Sequence, residues 1–292
     1  MADDSVPVPV SLRNEGYQDL RDLLERFEQM GEVEKIDGAD WNLEVGAISE
    51  MTAAAKPGRA KAMLFDNIKG YPPGYRILSG AANAFRRLAV VLNLPEPLNE
   101  IDLVKKYRSQ SKRDFELIPP VEVSHGPILE NIMRDDDVNV WKFPVPFVHE
   151  LDGGRYIGTD DAVIMRDPDT GWVNSATYRV MVHDKNTLAI WMSPGKQGRL
   201  ISEKYFAKGE PCPVLISCGH DPLLFLVSHQ EIDHEVDEFA YAGGMRGRAL
   251  EVIPSEIHGL PIPAHAEIVI EGEIYGDELK EEGPFGEFMG YY

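Results

Sequence analysis

The sequence predicts an α+β chain of two domains, on three observations: its length, a change of pattern at Pro119-Pro120, and a run of hairpins beyond that point. At 292 residues the chain is long enough to bury two separate cores. Before the proline pair, helical and strand patterns are mixed. After it, strand patterns follow one another across short turns, as in an antiparallel sheet or a small barrel. The expected domains are therefore 1–120 and 121–292.

Leu20, Leu23, Leu24, Phe27 and Met30 fall on one face of a 3.6-residue period, and Gly31 supplies a C-terminal stop, which predicts a helix. A second helix is expected over 44–54. A short buried strand follows over 62–65, ended by Asn67 and the turn cluster Gly70-Tyr71-Pro72-Pro73-Gly74. Residues 84–94 read as a helix that Pro95 and Pro97 stop. Beyond Phe143-Pro144-Val145-Pro146, strands are expected over 162–166, 172–183 and 187–192, separated by Asp167-Pro168-Asp169-Thr170-Gly171 and by Asp184-Lys185-Asn186. A helix over 199–207 leads to apolar strands at 214–218 and 223–227, a short helix over 238–245, and an alternating strand over 267–275.

Composition narrows the function. Lys plus Arg number 29 against 49 Asp plus Glu, a formal charge of −20. Such a surface repels phosphate backbones and anionic lipid, so neither nucleic acid nor membrane is an expected partner. An anionic substrate would need a local cation, which draws attention to each arginine near a candidate site. No apolar run reaches the length of a bilayer span. Residues 1–9 carry two aspartates and no basic segment, so they do not read as a signal peptide, and a cytoplasmic location is expected. Cys212 and Cys218 form no Cys-x-x-Cys pair and read as reduced thiols.

Three patches carry chemistry. In Glu282-Gly283-Pro284-Phe285-Gly286-Glu287, two carboxylates five apart would diverge on a straight strand, but the intervening glycines and proline allow a bend that turns both toward one cavity. Paired carboxylates drive their pKa values apart, which leaves one able to hold a proton. A plain surface turn with two solvated glutamates is the competing reading. In residues 174–179, Arg179 lies in a strand-like, partly apolar run where an unpaired arginine is costly. It could clamp a substrate carboxylate, pair with a glutamate, or stand on an exposed sheet face. Ser193-Pro194-Gly195-Lys196-Gln197-Gly198 precedes a helix and suits an anion, although its spacing is not that of a P-loop. His220, His229 and His234 lie near several acids without the spacing of a zinc motif.

The ending Glu-Gly-Pro-Phe-Gly-Glu-x-x-Gly-Tyr-Tyr resembles the signature of the UbiD (de)carboxylases. The segment Asp152-Gly153-Gly154-Arg155-Tyr156-Ile157-Gly158-Thr159, the 174–179 run and the Pro-Gly-Lys loop stand where that family has its cofactor and metal segments. Phe65-x-x-Ile68-Lys69-Gly70-Tyr71 is similar to its N-terminal domain. The resemblance implies a central flavin-reductase-like split β-barrel flanked by an N-terminal α/β domain. It implies reversible decarboxylation of an aromatic, heteroaromatic or α,β-unsaturated acid, with the small carboxylic acid and CO2 as partners. The cofactor would be prenylated FMN, supplied by a flavin prenyltransferase and held with Mn2+ or Mg2+ and a K+ ion.

Carried over by position, the metal ligands would be Asn174, Gln197 and Glu238, and the catalytic network Arg179, Glu282 and Glu287. Thr159, Lys196 and Ser228, with Asn174 and Gln197, would contact the cofactor or its ions. Gln197 departs from the histidine common in the family; its amide oxygen suits magnesium better than manganese. Family members continue into a C-terminal α/β domain that helps close the site and form the homo-oligomer, whereas this sequence ends at Tyr292, as a truncated chain would. A carboxylate-pair or metal-dependent hydrolase and a non-catalytic truncated member of the family are the alternatives.

Overall fold

The computed structural model describes residues 16–55, 57–95, 97, 99–111, 115–287 and 290–292. The expectation for residues 1–9, and Phe288 and Met289 of the terminal motif, lie outside them. Helix α1 (Leu20–Gln29) is capped by the Asp19 side chain, which accepts from the amides of Arg21 and Asp22. Leu23 and Phe27 turn inward, and Gly31 at φ +70° ends the turn in the left-handed region. β1 (Val33–Asp37) and α2 (Glu44–Ala55) lead to β2 (Ala62–Asp66), which pairs in parallel with β1, and β3 (Ile77–Ser79) adds antiparallel to β2. α3 (Phe85–Val91) and α4 (Glu100–Ser111) complete this part.

Past Pro119-Pro120, β4 (Val121–Glu122) precedes a long irregular stretch. Then come β5 (Arg155–Gly158), β6 (Ala162–Arg166), β7 (Val173–Ala176), β8 (Val180–Val182), β9 (Leu188–Ile190), α5 (Gln197–Ala207), β10 (Cys212–Cys218), α6 (Pro222–Ser228), α7 (Glu238–Arg246), β11 (Glu251–Pro254), β12 (Pro261–Pro263) and β13 (Ile268–Ile274). The strands form three sheets, ordered β13-β10-β6-β7, β5-β8-β9 and β12-β11-β4. The fold is α+β as expected, but among the described residues these sheets do not close into one barrel.

Two expectations are corrected. The strand predicted over 172–183 is two strands in different sheets, β7 and β8. Between them the chain leaves the ladder: the Thr177 amide donates to the Ser228 carbonyl, and the Arg179 carbonyl accepts from the Trp191 amide. The apolar run at 223–227 is not a strand but the buried helix α6. Asp221 caps it on the Leu223 amide and Pro222 occupies its first turn, signals that outweigh a short run without periodicity.

The central sheet explains the core. Along β6 and β10, Ala162, Ile164 and Leu215 face one apolar cluster, with Leu23, Phe27, Leu224 and Phe239. Val163, Met165, Val214 and Ile216 face another, with Tyr178, Val180 and Ile201. Both faces of the sheet are covered, so its strands read as continuous apolar runs. The first cluster draws residues from both sides of Pro119-Pro120. Cys212 and Cys218 are free thiols at opposite ends of β10, matching the sequence expectation. No described helix is long and apolar enough to cross a membrane.

Candidate active site

The crossing from β7 to β8 carries the site. Asn174 and Ser175 lie on β7, where Asn174 stands opposite Met165 of β6. Arg179 comes five residues later, immediately before β8. Five extended residues span at most about 17 Å, so the two ends of the segment can serve separate polar groupings.

At the β7 end, α7 presents Glu238 from its first turn, with Asp237 as the cap accepting from the Phe239 and Ala240 amides. Glu238 is 5% exposed. Its Oε1 accepts from Asn174 Nδ2 at 3.0 Å and its Oε2 from the Ser175 amide at 2.9 Å. Burial pushes its pKa up to about 7, because the two neutral donors compensate the lost hydration only in part. Ser228, at the end of α6, shares a hydrogen bond of 2.8 Å with the Ser175 hydroxyl. Gln197 is the half-buried first residue of α5. The start of that helix is tied to the same region, since the Gly198 amide donates to the Tyr178 hydroxyl at 3.0 Å.

This end groups the buried Glu238 carboxylate with the Asn174 side-chain amide, and Gln197, a further amide, starts the helix tied to the same region. Such a set fits a hard divalent cation. Lys196 is exposed, with its ammonium 4.0 Å from Glu231, and Thr159 is exposed just past β5. The structure thus brings Asn174, Glu238 and Ser228 together and leaves Lys196 and Thr159 at the surface.

At the other end, Arg179 and Glu282 form a bidentate pair, Nε to Oε1 at 2.8 Å and Nη2 to Oε2 at 2.7 Å. Charge-assisted fork contacts of this kind fix orientation as well as energy. The Arg179 pKa is raised: burial pulls it down, but the hydrogen bonds and charge of Glu282 outweigh that, and Glu287 adds to the rise. The guanidinium carbon lies 5.3 Å from the Phe285 ring and 5.6 Å from Trp191, which is half exposed. Glu282 uses the Nε/Nη2 edge, and no other described residue hydrogen-bonds the Nη1/Nη2 edge, which leaves it available to a ligand.

The terminal turn is shaped by close backbone approach. Gly283 has φ +88° and the Gly283-Pro284 peptide is cis. The Gly153 amide donates to the Pro284 carbonyl at 2.7 Å, and the Gly286 amide donates to Asp152 Oδ1 at 2.7 Å. A Cβ on Gly153 would collide with the Gly283 carbonyl, and one on Gly286 with the His149 ring. The bend expected of Gly-Pro-Phe-Gly exists, but it does not turn both carboxylates into one cavity: Glu282 is sheltered, and Glu287 is exposed within electrostatic reach of Arg179.

Several residues of this neighbourhood were not singled out by sequence. Tyr156 is 1% exposed and donates to Glu282 Oε1 at 2.9 Å. Asp152 anchors the terminal turn. Both lie in the Asp152-Gly153-Gly154-Arg155-Tyr156 segment, but the sequence does not say which side chains of that segment meet the distant carboxylates. His220 is buried, with Nδ1 beside the Ser217 carbonyl at 3.1 Å and its pKa lowered to about 4 by burial, while the His234 ring packs on Trp172. Among the described residues, no three His, Cys, Asp or Glu side chains gather as a metal cluster. Two open clefts, of about 530 and 640 Å³, lie elsewhere and include none of the Arg179 grouping.

Residues 120–292 match the model of the 3-octaprenyl-4-hydroxybenzoate carboxy-lyase Rift-related domain, and residues 24–106 that of the corresponding N-terminal domain. The chain is 35% identical over 286 residues to pyrrole-2-carboxylic acid decarboxylase of Pseudomonas aeruginosa, covering 95% of this chain and 57% of that protein. It is 33% identical over 292 residues to ferulic acid decarboxylase 1 of Candida dubliniensis, covering 93% and 56%. Among solved structures, it superposes on the UbiD-class enzyme HmfF from Pelotomaculum thermopropionicum in complex with FMN, with a TM-score of 0.82 and 27% identity, covering 94% of this chain and 59% of that one. An evolved dimeric form of HmfF in complex with prFMN gives a TM-score of 0.81 at 27% identity, covering 94% and 61%. The chain thus spans a little under three fifths of the length of the curated relatives it matches.

Proposed function

The chain belongs to the UbiD carboxy-lyase family, and from that premise we propose that it binds prenylated FMN along residues 174–179 and catalyses reversible decarboxylation of an aromatic, heteroaromatic or α,β-unsaturated acid. The observation that carries this reading is the Arg179–Glu282 pair, which presents a fixed guanidinium with one edge free. A substrate carboxylate binds that edge by two charge-assisted hydrogen bonds. Prenylated FMN, when bound, would supply the electron sink that the loss of CO2 requires.

What remains is proton chemistry. Loss of CO2 leaves a carbon that must gain one proton, and Glu287 is the acid near Arg179 that is free to deliver it. Its exposure lets it recover a proton from water after each turnover. Glu282 holds Arg179 with both oxygens, so it serves as an orienting anion. The same contacts weigh against a hydrolase that needs Glu282 and Glu287 as a free acid–base pair.

At the β7 end, Asn174, Glu238 and Gln197 would hold Mn2+ or Mg2+ beside the cofactor phosphate, with Ser228 and Lys196 at the phosphate or its K+ ion and Thr159 along the flavin. A flavin prenyltransferase supplies the cofactor, and the active assembly is a homo-oligomer. The test is co-expression with a flavin prenyltransferase, followed by an absorption spectrum, a cofactor mass and a screen of acids for CO2 release and deuterium exchange at the carbon bearing the carboxylate. Flavin absorption with exchange on at least one acid is the expected result. A colourless protein, or a flavin-loaded one inert to every class of acid, overturns the proposal.

A further inference from the structure

We propose that Tyr156 is a positioning residue that selects which edge of Arg179 the Glu282 carboxylate occupies, and so keeps the other edge open for substrate. This rests on the reading above that Arg179 receives the substrate carboxylate.

A guanidinium offers a carboxylate two forks, one from Nε and Nη2 and one from Nη1 and Nη2, of similar intrinsic strength. Nothing in the Arg179–Glu282 pair alone prefers the first. Tyr156 supplies the preference. Its hydroxyl donates to Glu282 Oε1, the oxygen that also accepts from Arg179 Nε. Oε1 therefore has two donors and Oε2 one, and a shift of Glu282 to the outer fork would break the Tyr156 bond.

Tyr156 is itself immobile. It lies on β5, which pairs with β8 through Tyr156 opposite Met181, directly after the Arg179 crossing. Its ring packs edge-on against Phe285 at 4.6 Å, and Phe285 also lies against the Arg179 guanidinium. Burial raises the Tyr156 pKa, as do the hydrogen bond and charge of Glu282, so the hydroxyl stays a donor. The Gly153–Pro284 and Asp152–Gly286 hydrogen bonds bring the terminal turn onto the same β5 segment. One strand thus positions the backbone and the side chain of Glu282 together.

Tyr156→Phe keeps the ring and removes only the donor. Glu282 then competes with incoming carboxylates for the outer edge of Arg179. In FMN-loaded protein, benzoate binding followed by flavin fluorescence is expected to weaken roughly tenfold, the scale of one hydrogen bond to a charged group, while benzamide binding is unchanged. In the turnover assay KM rises by a similar factor and kcat changes less. A purely structural role would lower the active fraction, and with it kcat, without separating benzoate from benzamide.

A second measurement needs no ligand. The drop in urea midpoint caused by Tyr156→Phe is expected to vanish when Glu282 is already alanine, because the bond is then absent. Benzoate affinity within twofold of wild type, or an undiminished midpoint shift in the Glu282→Ala background, overturns the proposal. Failure of wild type to bind any acid would instead count against the function assigned to Arg179, and the midpoint cycle would still decide whether Tyr156 holds Glu282.

Discussion

Glu238 and Glu282 are both sheltered carboxylates at opposite ends of residues 174–179, and they differ in what answers their charge. Glu282 meets a guanidinium through two bonds and a tyrosine through a third. Among the described residues, Glu238 meets an amide side chain and backbone amides, all neutral, and burial lifts its pKa to about 7. A buried anion with neutral donors alone remains undercompensated. One end of the segment is thus electrostatically complete in the protein itself, and the other is suited to a cation from outside. The division matches the proposed labour: the Arg179 end handles the substrate, and the Glu238 end handles the cofactor phosphate through a metal.

The largest effects should separate these two ends. In flavin-loaded protein, Glu287→Gln is expected to lower turnover by about 10²–10⁴-fold, the range for a positioned acid, while the flavin spectrum is retained. Loss of the flavin instead, or near-normal deuterium exchange, would erase the distinction. Glu238→Ala should do the reverse. With FMN present, Mn2+ or Mg2+ at a hundred times its dissociation constant stabilises wild type by about 2.7 kcal/mol. That rise in melting temperature should be absent in the variant, and metal content after gel filtration should fall with it. A variant that keeps both would move the metal site elsewhere.

A smaller effect sharpens the picture of the terminal turn. Gly286→Ala places a methyl group against the His149 ring, and overpacking of this kind costs about 1–3 kcal/mol. Denaturant unfolding should show that loss, together with weaker binding of acids as the turn moves away from Arg179. Unchanged stability would mean that the turn adapts and does not fix Glu282.

The smallest effect concerns a third carboxylate. Asp161, fully buried beside Cys218 and Asp160, has no hydrogen-bond partner for its oxygens from any other described residue, and burial raises its pKa well above the ordinary value. Below about pH 4 both folded and unfolded chains carry this proton. Above that, the unfolded chain releases it while the folded chain keeps it, so wild type loses stability as pH rises toward the folded pKa. Asp161→Asn removes the penalty. It should stabilise the protein by about 1–2 kcal/mol near neutral pH and by nothing below pH 4, in urea melts across that range. Destabilisation at pH 7 would show that the carboxylate has a partner.

Much of the fold was legible in the sequence. The 3.6-residue period of α1, with Gly31 behind it, and the short apolar runs of β2, β6 and β10 sit where their patterns put them. Legibility failed where local pattern and tertiary hydrogen bonding compete. The run 223–227 is apolar enough for a buried strand, and only the Asp221 cap and Pro222 make it a helix. The stretch 172–183 has unbroken strand propensity, yet the Ser228 carbonyl draws the Thr177 amide out of the ladder and divides it. Arg179 owes its position to that division.

By itself, the sequence determined the family, the α+β class and the residue types of the site, because glycines, a proline and two glutamates at fixed spacing are local features. Tertiary structure alone decided that Glu282 is sheltered and Glu287 exposed, that the Tyr156 hydroxyl and Arg179 meet the same oxygen of Glu282, and that Glu238 is buried against neutral donors. Those outcomes depend on contacts across 64 to 126 positions of chain, and periodicity, which reports only which face a residue shares with its near neighbours, carries no information about which distant face it meets.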